Sequence, residues 1–223
     1  MRTLAIGDIH GHLDALNALI AIVHPLPEDT LIFLGDYVDK GPNVRGVIDR
    51  LLELNSTHHA IFLRGNHDQM MLDAHLDQVK ILLWKTLAGD GALASYGPGE
   101  VEDLLDRVPS AHWHFLEHTC RDYFRTSDFI FVHGGIRAHK ELATETPDYL
   151  QWSTLATAAP HISGKTVICG HSSQRNGIIA DLEHTICIDT GITHGGWLTC
   201  LELETFSYWQ ANASGNTRTG ALR

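Results

Sequence analysis

The stretch Gly35-Asp36-Tyr37-Val38-Asp39-Lys40-Gly41-Pro42 decides how this chain is read. It follows Leu31-Ile32-Phe33-Leu34, an apolar run of the length of a buried strand. Two carboxylates, Asp36 and Asp39, then stand at the strand's exit. A glycine that allows close backbone packing precedes them, and a Gly-Pro turn follows. Burying a strand that ends in acids is costly unless a cation meets them. A pair of metal ions sharing Asp36 would meet that need, and such a pair requires further ligands elsewhere in the chain.

Four other segments have the same form: Gly7-Asp8-Ile9-His10-Gly11-His12, Arg64-Gly65-Asn66-His67-Asp68, His133-Gly134-Gly135 and Cys169-Gly170-His171. Each is an apolar run, then glycine or a ligand-type residue, then a turn. Functional groups in α/β sheets collect at the carboxyl ends of strands. The donors gathered in this way are Asp8, His10, Asp36, Asn66, His133 and His171. Oxygen and imidazole without thiolate suit manganese, iron or zinc better than calcium or copper(I). The two oxygens of one aspartate can bridge two ions. Six ligands around two ions leave coordination positions for water and substrate.

Between these segments the pattern alternates strand and helix. Residues 3–8, 30–34 and 60–63 read as strands, and 12–23 and 44–54 as amphipathic helices, which predicts a parallel sheet with right-handed crossovers. Residues 69–119 read as a helical insert, with Leu93 and Leu104 in helix-like contexts, broken at Gly89, Gly91, Gly97, Pro98 and Gly99; its Met and aromatic positions are assigned to packing. Strands return at 123–125 and 129–132. A long loop at 134–150 follows, then short, closely spaced strands at 166–169, 178–180, 185–188, 197–203 and 207–210, the mark of a mixed sheet. The expected architecture is α/β: two sheets flanked by helices, with a helical insert, in one domain over 1–210. A loose polar tail is expected at 211–223.

With 16 Lys and Arg against 27 Asp and Glu, the 223-residue chain carries a formal charge of −11. That argues against nonspecific binding to nucleic acid or to an anionic membrane, and means that any phosphate site is built locally. No apolar run has the length of a membrane span, and Met1-Arg2 leads directly into a strand, so a cytoplasmic protein is expected. Cys120, Cys169, Cys187 and Cys200 are widely spaced in apolar runs and read as reduced, buried thiols.

The order and spacing of the five segments resemble the calcineurin-like metallophosphoesterases, and more closely their phosphoprotein phosphatase branch, with motifs GDxHG, GDxVDRG, GNHE, HGG and GH. The resemblance runs from Gly7 to about Thr199. It implies a four-layer α/β/β/α sandwich with two mixed β-sheets, and at one edge two divalent ions, manganese foremost with iron or zinc as alternatives. Asp8, His10 and Asp36 would hold one ion, and Asp36, Asn66, His133 and His171 the other. It further implies in-line attack on phosphorus by a hydroxide bridging the ions, with His67 as general acid oriented by Asp39. The implied activity is phosphomonoester hydrolysis on phosphoserine or phosphothreonine in a protein or peptide. A dinucleoside polyphosphate hydrolase such as a diadenosine tetraphosphatase is the first alternative, and a metal-holding interaction module without turnover the second. Two family arginines are replaced: Lys40 stands in GDxVDRG, and Thr154 follows Trp152-Ser153. Lys offers a point charge where Arg grips phosphate bidentately. Lys40, Arg64, Asn66 and Arg137 are therefore the candidate phosphate-binding residues.

Overall fold

The computed structural model describes residues 1–89, 94–99 and 105–223. The first half alternates as expected: β1 (Thr3–Ile6), α1 (Leu13–Val23), β2 (Thr30–Phe33), α2 (Val44–Thr57) and β3 (His59–Phe62). Asn43 starts α2 by accepting the Gly46 N–H at 2.9 Å, a local bond that satisfies one of the free amides at a helix start. The insert follows, with α3 (Asn66–Leu76), α4 (Gln78–Trp84), a π-helical turn at Lys85–Gly89, α5 (Ser110–His114) and a second π-helical turn at Phe115–Thr119. Gly91, Leu93 and Leu104, read from sequence as part of the insert, lie outside the described residues. Buried His112 clamps the insert to α2, bonding the Tyr96 hydroxyl through Nδ1 and Asp49 through Nε2, both at 2.9 Å.

The second half carries β4 (Tyr123–Arg125), β5 (Phe129–Val132), α6 (Pro147–Trp152), β6 (Thr166–Cys169), β7 (Ala180–Asp181), β8 (Thr185–Cys187), β9 (Leu198–Glu202), β10 (Ser207–Ala211) and β11 (Thr217–Ala221). The strands form two mixed sheets, one ordered β11-β10-β9-β1-β2-β3 and the other β4-β5-β6-β8-β7. β1–β2–β3 run parallel along one side of the first sheet, and β5–β6–β8 run parallel through the centre of the second. The expected loose tail is a correction: residues 217–221 pair antiparallel with β10, in register from Ala211↔Thr217 to Ser207↔Ala221. The polar sequence Thr217-Arg218-Thr219-Gly220-Ala221 concealed this strand because it lies at a sheet edge, largely exposed, where no apolar alternation is needed.

The central strands are buried on both faces, which explains their unbroken apolar runs. Leu4, Ile6, Leu31, Phe33 and Phe62 face α1, α2 and the insert. Ala5, Ile32, Leu34, Ile61 and Leu63 face the other sheet and meet Phe131, Ile168, Ile186 and Ile188 there. The far face of the second sheet packs Ile130, Val132, Val167 and Cys169 against Leu142 and Leu150. Four layers result, and the strand ends that carry the motifs come together along one edge. No described helix is long and apolar enough to cross a membrane.

One ion pair ties the start of β1 to the loop before β2. Buried Asp29 accepts the Arg2 backbone N–H at 2.7 Å, Arg2 Nε at 2.9 Å and the Leu26 N–H at 2.9 Å. Burial opposes the charge, yet Arg2 and these amides hold the carboxyl at about 2. A folded-state value below the unfolded one contributes stability that is complete above about pH 4 and is lost as pH falls through about 2. Asp29→Asn is therefore expected to cost about 2 kcal/mol at pH 7, the worth of a shift of this size. In urea titrations the gap to wild type should narrow between pH 4 and pH 2; a gap constant over that range would contradict the assignment.

Candidate metal centre

Each functional side chain sits where a strand stops. The polypeptide leaves β1 through Gly7 to Asp8 and His10, leaves β2 through Gly35 to Asp36, and leaves β3 for α3, which starts at Asn66 and His67. His133 follows β5, and His171 follows β6 after Gly170. Several of these residues adopt the left-handed conformation that non-glycine residues avoid: His10 (φ 46°), Asp36 (54°), Asp39 (68°), Lys40 (63°) and His171 (61°). Backbone strain of this kind gathers where side chains must be aimed at a common point.

The imidazoles are oriented from behind. His10 Nδ1 bonds Val38 O at 2.8 Å, leaving Nε2 3.3 Å from Asp36 Oδ2. His133 Nδ1 bonds Leu34 O at 2.8 Å, leaving Nε2 3.1 Å from Asn66 Oδ1 and 3.4 Å from Asp36 Oδ1. His171 Nδ1 lies 2.9 Å from the same Asn66 oxygen. A backbone carbonyl holding one ring nitrogen while the other faces a shared centre is the arrangement of ligating histidines. Asp36 is common to two clusters of ligand atoms, His10–Asp36–His67 and Asp36–His133–His171, each within 4.8 Å. Asp8 belongs to neither cluster but stands at their edge, accepting the His171 N–H at 3.0 Å.

The electrostatics call for positive charge. Asp8, Asp36, Asp68 and Asp189 are all buried around this point. Burial and the Asp189 charge push the Asp8 carboxyl well up. Burial opposes ionisation of Asp36 too, but His133, His67 and His10 hold it well below the usual range. In turn the Asp36 charge overcomes burial and raises His133 to about 10, while burial lowers His10 to about 3 and His171 to about 4. A converging oxygen-and-imidazole donor set with a surplus of buried carboxylates fits two divalent ions.

His67 also forms a dyad: its Nδ1 bonds Asp39 Oδ2 at 2.7 Å, and its ring stands edge-on to His10 at 4.8 Å between centroids. Asp68 does structural work that sequence reading passed over. Its buried carboxylate accepts the N–H groups of Asp36 (2.8 Å), Tyr37 (2.9 Å) and Gly65 (2.9 Å), locking the β2 and β3 exits together. Asp189 is buried and its charge bears on Asp8.

The candidate phosphate cations separate. Lys40 is exposed, and its charge bears on both His10 and His171. Arg64 turns away: its guanidinium donates to Leu116 O at 3.1 Å, Glu117 O at 2.8 Å and Cys120 O at 3.2 Å, closing the turn that ends the insert. Those carbonyls are the free ends of a helical turn and need donors. Arg137 pairs with Glu145 and stacks on Tyr149 at 3.9 Å, in a groove shared with Trp152 and Thr154.

Comparison with known proteins agrees with this geometry. Residues 1–186 match the family model described as calcineurin-like phosphoesterase. Serine/threonine-protein phosphatase 1 of Salmonella typhimurium is 30% identical over 207 residues, covering 89% of this chain and 90% of that protein. The symmetrical bis(5'-nucleosyl)-tetraphosphatase of Nitrosospira multiformis is 28% identical, covering 98% of this chain and 99% of that protein. Among solved structures, a candidate diadenosine tetraphosphatase superposes with a TM-score of 0.69 at 19% identity, covering 98% of this chain and 92% of that one. With the family model spanning most of its length and its metal-type side chains converging at one sheet edge, the chain belongs to the calcineurin-like phosphoesterase family.

Proposed function

We propose that this protein is a metal-dependent phosphomonoester hydrolase acting on phosphoserine or phosphothreonine in proteins. The observation that carries the reading is the sharing of Asp36 by two clusters, His10–Asp36–His67 and Asp36–His133–His171, with His67 of the first bonded in turn to Asp39. Asp8, His10 and Asp36 would hold one divalent ion, and Asp36, Asn66, His133 and His171 the other; the ions would supply Lewis-acid activation of water and of the phosphate oxygens. Lys40 is the cation placed to attract phosphate, taking the position of a family arginine. His67, with Nδ1 committed to Asp39, presents Nε2 to the leaving group. A water oxygen forms the new bond to phosphorus, releasing one proton to solvent, as the ester P–O bond breaks. The ester oxygen takes the proton from His67 Nε2 and departs as the alcohol, and His67 is reprotonated from solvent.

The protein-phosphatase reading is supported by the relative of matching length from Salmonella. The tetraphosphatase relative, matched over nearly its whole length, supports a second reading in which the substrate is a dinucleoside polyphosphate. Hydrolysis of a phosphoserine peptide, a phosphothreonine peptide and diadenosine tetraphosphate, each with manganese and with chelator, tests both. Peptide turnover that chelation abolishes is expected; cleavage of the dinucleotide alone favours the second reading, and metal-independent turnover overturns both. His67→Asn is expected to lower kcat on the peptides by about 10²- to 10⁴-fold, the worth of a general acid, with manganese binding by calorimetry retained.

A further inference from the structure

We propose that Trp84 is a positioning residue of this site: its buried indole N–H, donated to both oxygens of Asp39, fixes the carboxylate that orients His67 and so makes the insert part of proton delivery to the leaving group. The proposal rests on the hydrolase reading above.

Among the described residues, two side chains donate to the Asp39 carboxylate. His67 Nδ1 reaches Oδ2 at 2.7 Å, and Trp84 Nε1 reaches Oδ1 at 3.1 Å and Oδ2 at 3.0 Å. The Asp39 side chain is fully buried, and Trp84 is 1% exposed. With His67 as its sole partner, the carboxylate is free to rotate about its own axis and present either oxygen. An N–H shared between the two oxygens fixes the plane of the group, and Oδ2 accepts from the indole and the imidazole together. The indole nitrogen donates and never accepts, so it constrains Asp39 without competing for the proton of His67. The constraint is needed because Asp39 sits at φ 68°, where its backbone alone does not stabilise the position.

The placement of Trp84 argues for a role beyond filling space. It closes α4, a short helix whose Leu82 and Leu83 are exposed at 69% and 60%. The tryptophan is thus the part of this segment that reaches from the insert into the site, 45 residues on from Asp39. Buried indoles usually find some acceptor. The acceptor chosen here is the carboxylate behind the candidate general acid, where a backbone carbonyl would have satisfied the N–H equally well.

Trp84→Phe keeps most of the ring and deletes the donor. A group acting through His67 matters in proportion to how much the leaving group needs a proton. In the manganese enzyme, kcat for alkyl phosphomonoesters is expected to fall about 10- to 100-fold, within the share a general acid supplies, while kcat for p-nitrophenyl phosphate falls less than about threefold and KM stays unchanged for both. Added to His67→Asn, the same substitution should cause no further loss. A uniform loss across leaving groups, or an additive loss in the double variant, would assign Trp84 to packing and overturn the proposal. A second measurement needs neither metal nor turnover. In protein labelled with nitrogen-15, Asp39→Asn should move the indole resonance that Trp84→Phe deletes; an unmoved resonance overturns the proposal even if Trp84→Phe is too unstable to assay. Absence of turnover in the wild type would count against the hydrolase reading alone, since the resonance reports the Trp84–Asp39 bond by itself.

Discussion

Asp36→Asn is expected to lower kcat/KM for any phosphomonoester by about a thousandfold or more, because several kcal/mol of charge stabilisation depend on both ions and each 1.36 kcal/mol is a factor of ten. Asp36 has one oxygen 3.3 Å from His10 Nε2 and the other 3.4 Å from His133 Nε2. An amide in its place keeps one acceptor and turns a donor toward one cluster. The charge that holds the buried His133 up is also lost. Calorimetric titration with manganese is the direct check. Asp36→Asn should weaken both binding events, whereas His10→Asn or His171→Asn should weaken one and largely spare the other. Two unimpaired binding events in Asp36→Asn would remove Asp36 from its shared position and with it the two-ion reading.

Gly65→Ala should be nearly as damaging, although Gly65 has no side chain to take part in chemistry. A methyl group there would overlap the Asp36 Oδ1 and backbone N atoms and lie 2.8 Å from Asp36 Cγ. Neither neighbour can give way: the Asp36 N–H is held by Asp68 and Oδ1 accepts the His67 N–H at 3.0 Å. Overpacking at a rigid contact costs about 1–3 kcal/mol of stability, and displacing a catalytic group by an ångström costs about 10²-fold in rate. The expected result is a lowered melting midpoint together with a loss of kcat far beyond the loss of folded protein. Wild-type kcat in Gly65→Ala would show that the β2 and β3 exits are looser than their hydrogen bonds indicate.

Much of this was legible in the residues. Paired apolar runs with ligand-type residues at their ends foretold the parallel strands, because a strand buried on both faces leaves an uninterrupted signature. The sequence-nominated residues Asp8, His10, Asp36, Asp39, Asn66, His67, His133 and His171 all lie at one edge of the sandwich. What escaped sequence reading depends on tertiary direction. Nothing in Arg64 itself states that its guanidinium turns to the carbonyls of Leu116, Glu117 and Cys120, 52 or more residues away. Trp84 looked like core, and it is buried, but its N–H direction is set by how α4 crosses the site. Asp68 sits at the third position of α3, where an acid ordinarily caps its own helix start. It does so through Gly65, while also accepting the Asp36 and Tyr37 amides from another strand exit. The β11 strand was hidden because an edge strand can be polar on both faces.

The donors that converge on Asp36 come from both sheets: Asp8, Asp36 and Asn66 from the exits of β1, β2 and β3, and His133 and His171 from those of β5 and β6. During synthesis the first group emerges from the ribosome well before the second, so a half-made chain would offer a partial set of ligands and hold ions weakly. Tight loading of two ions would then work as a proofreading step: it would reward only chains in which the two halves have docked correctly, and slowed amide exchange in both sheets at once would be its mark.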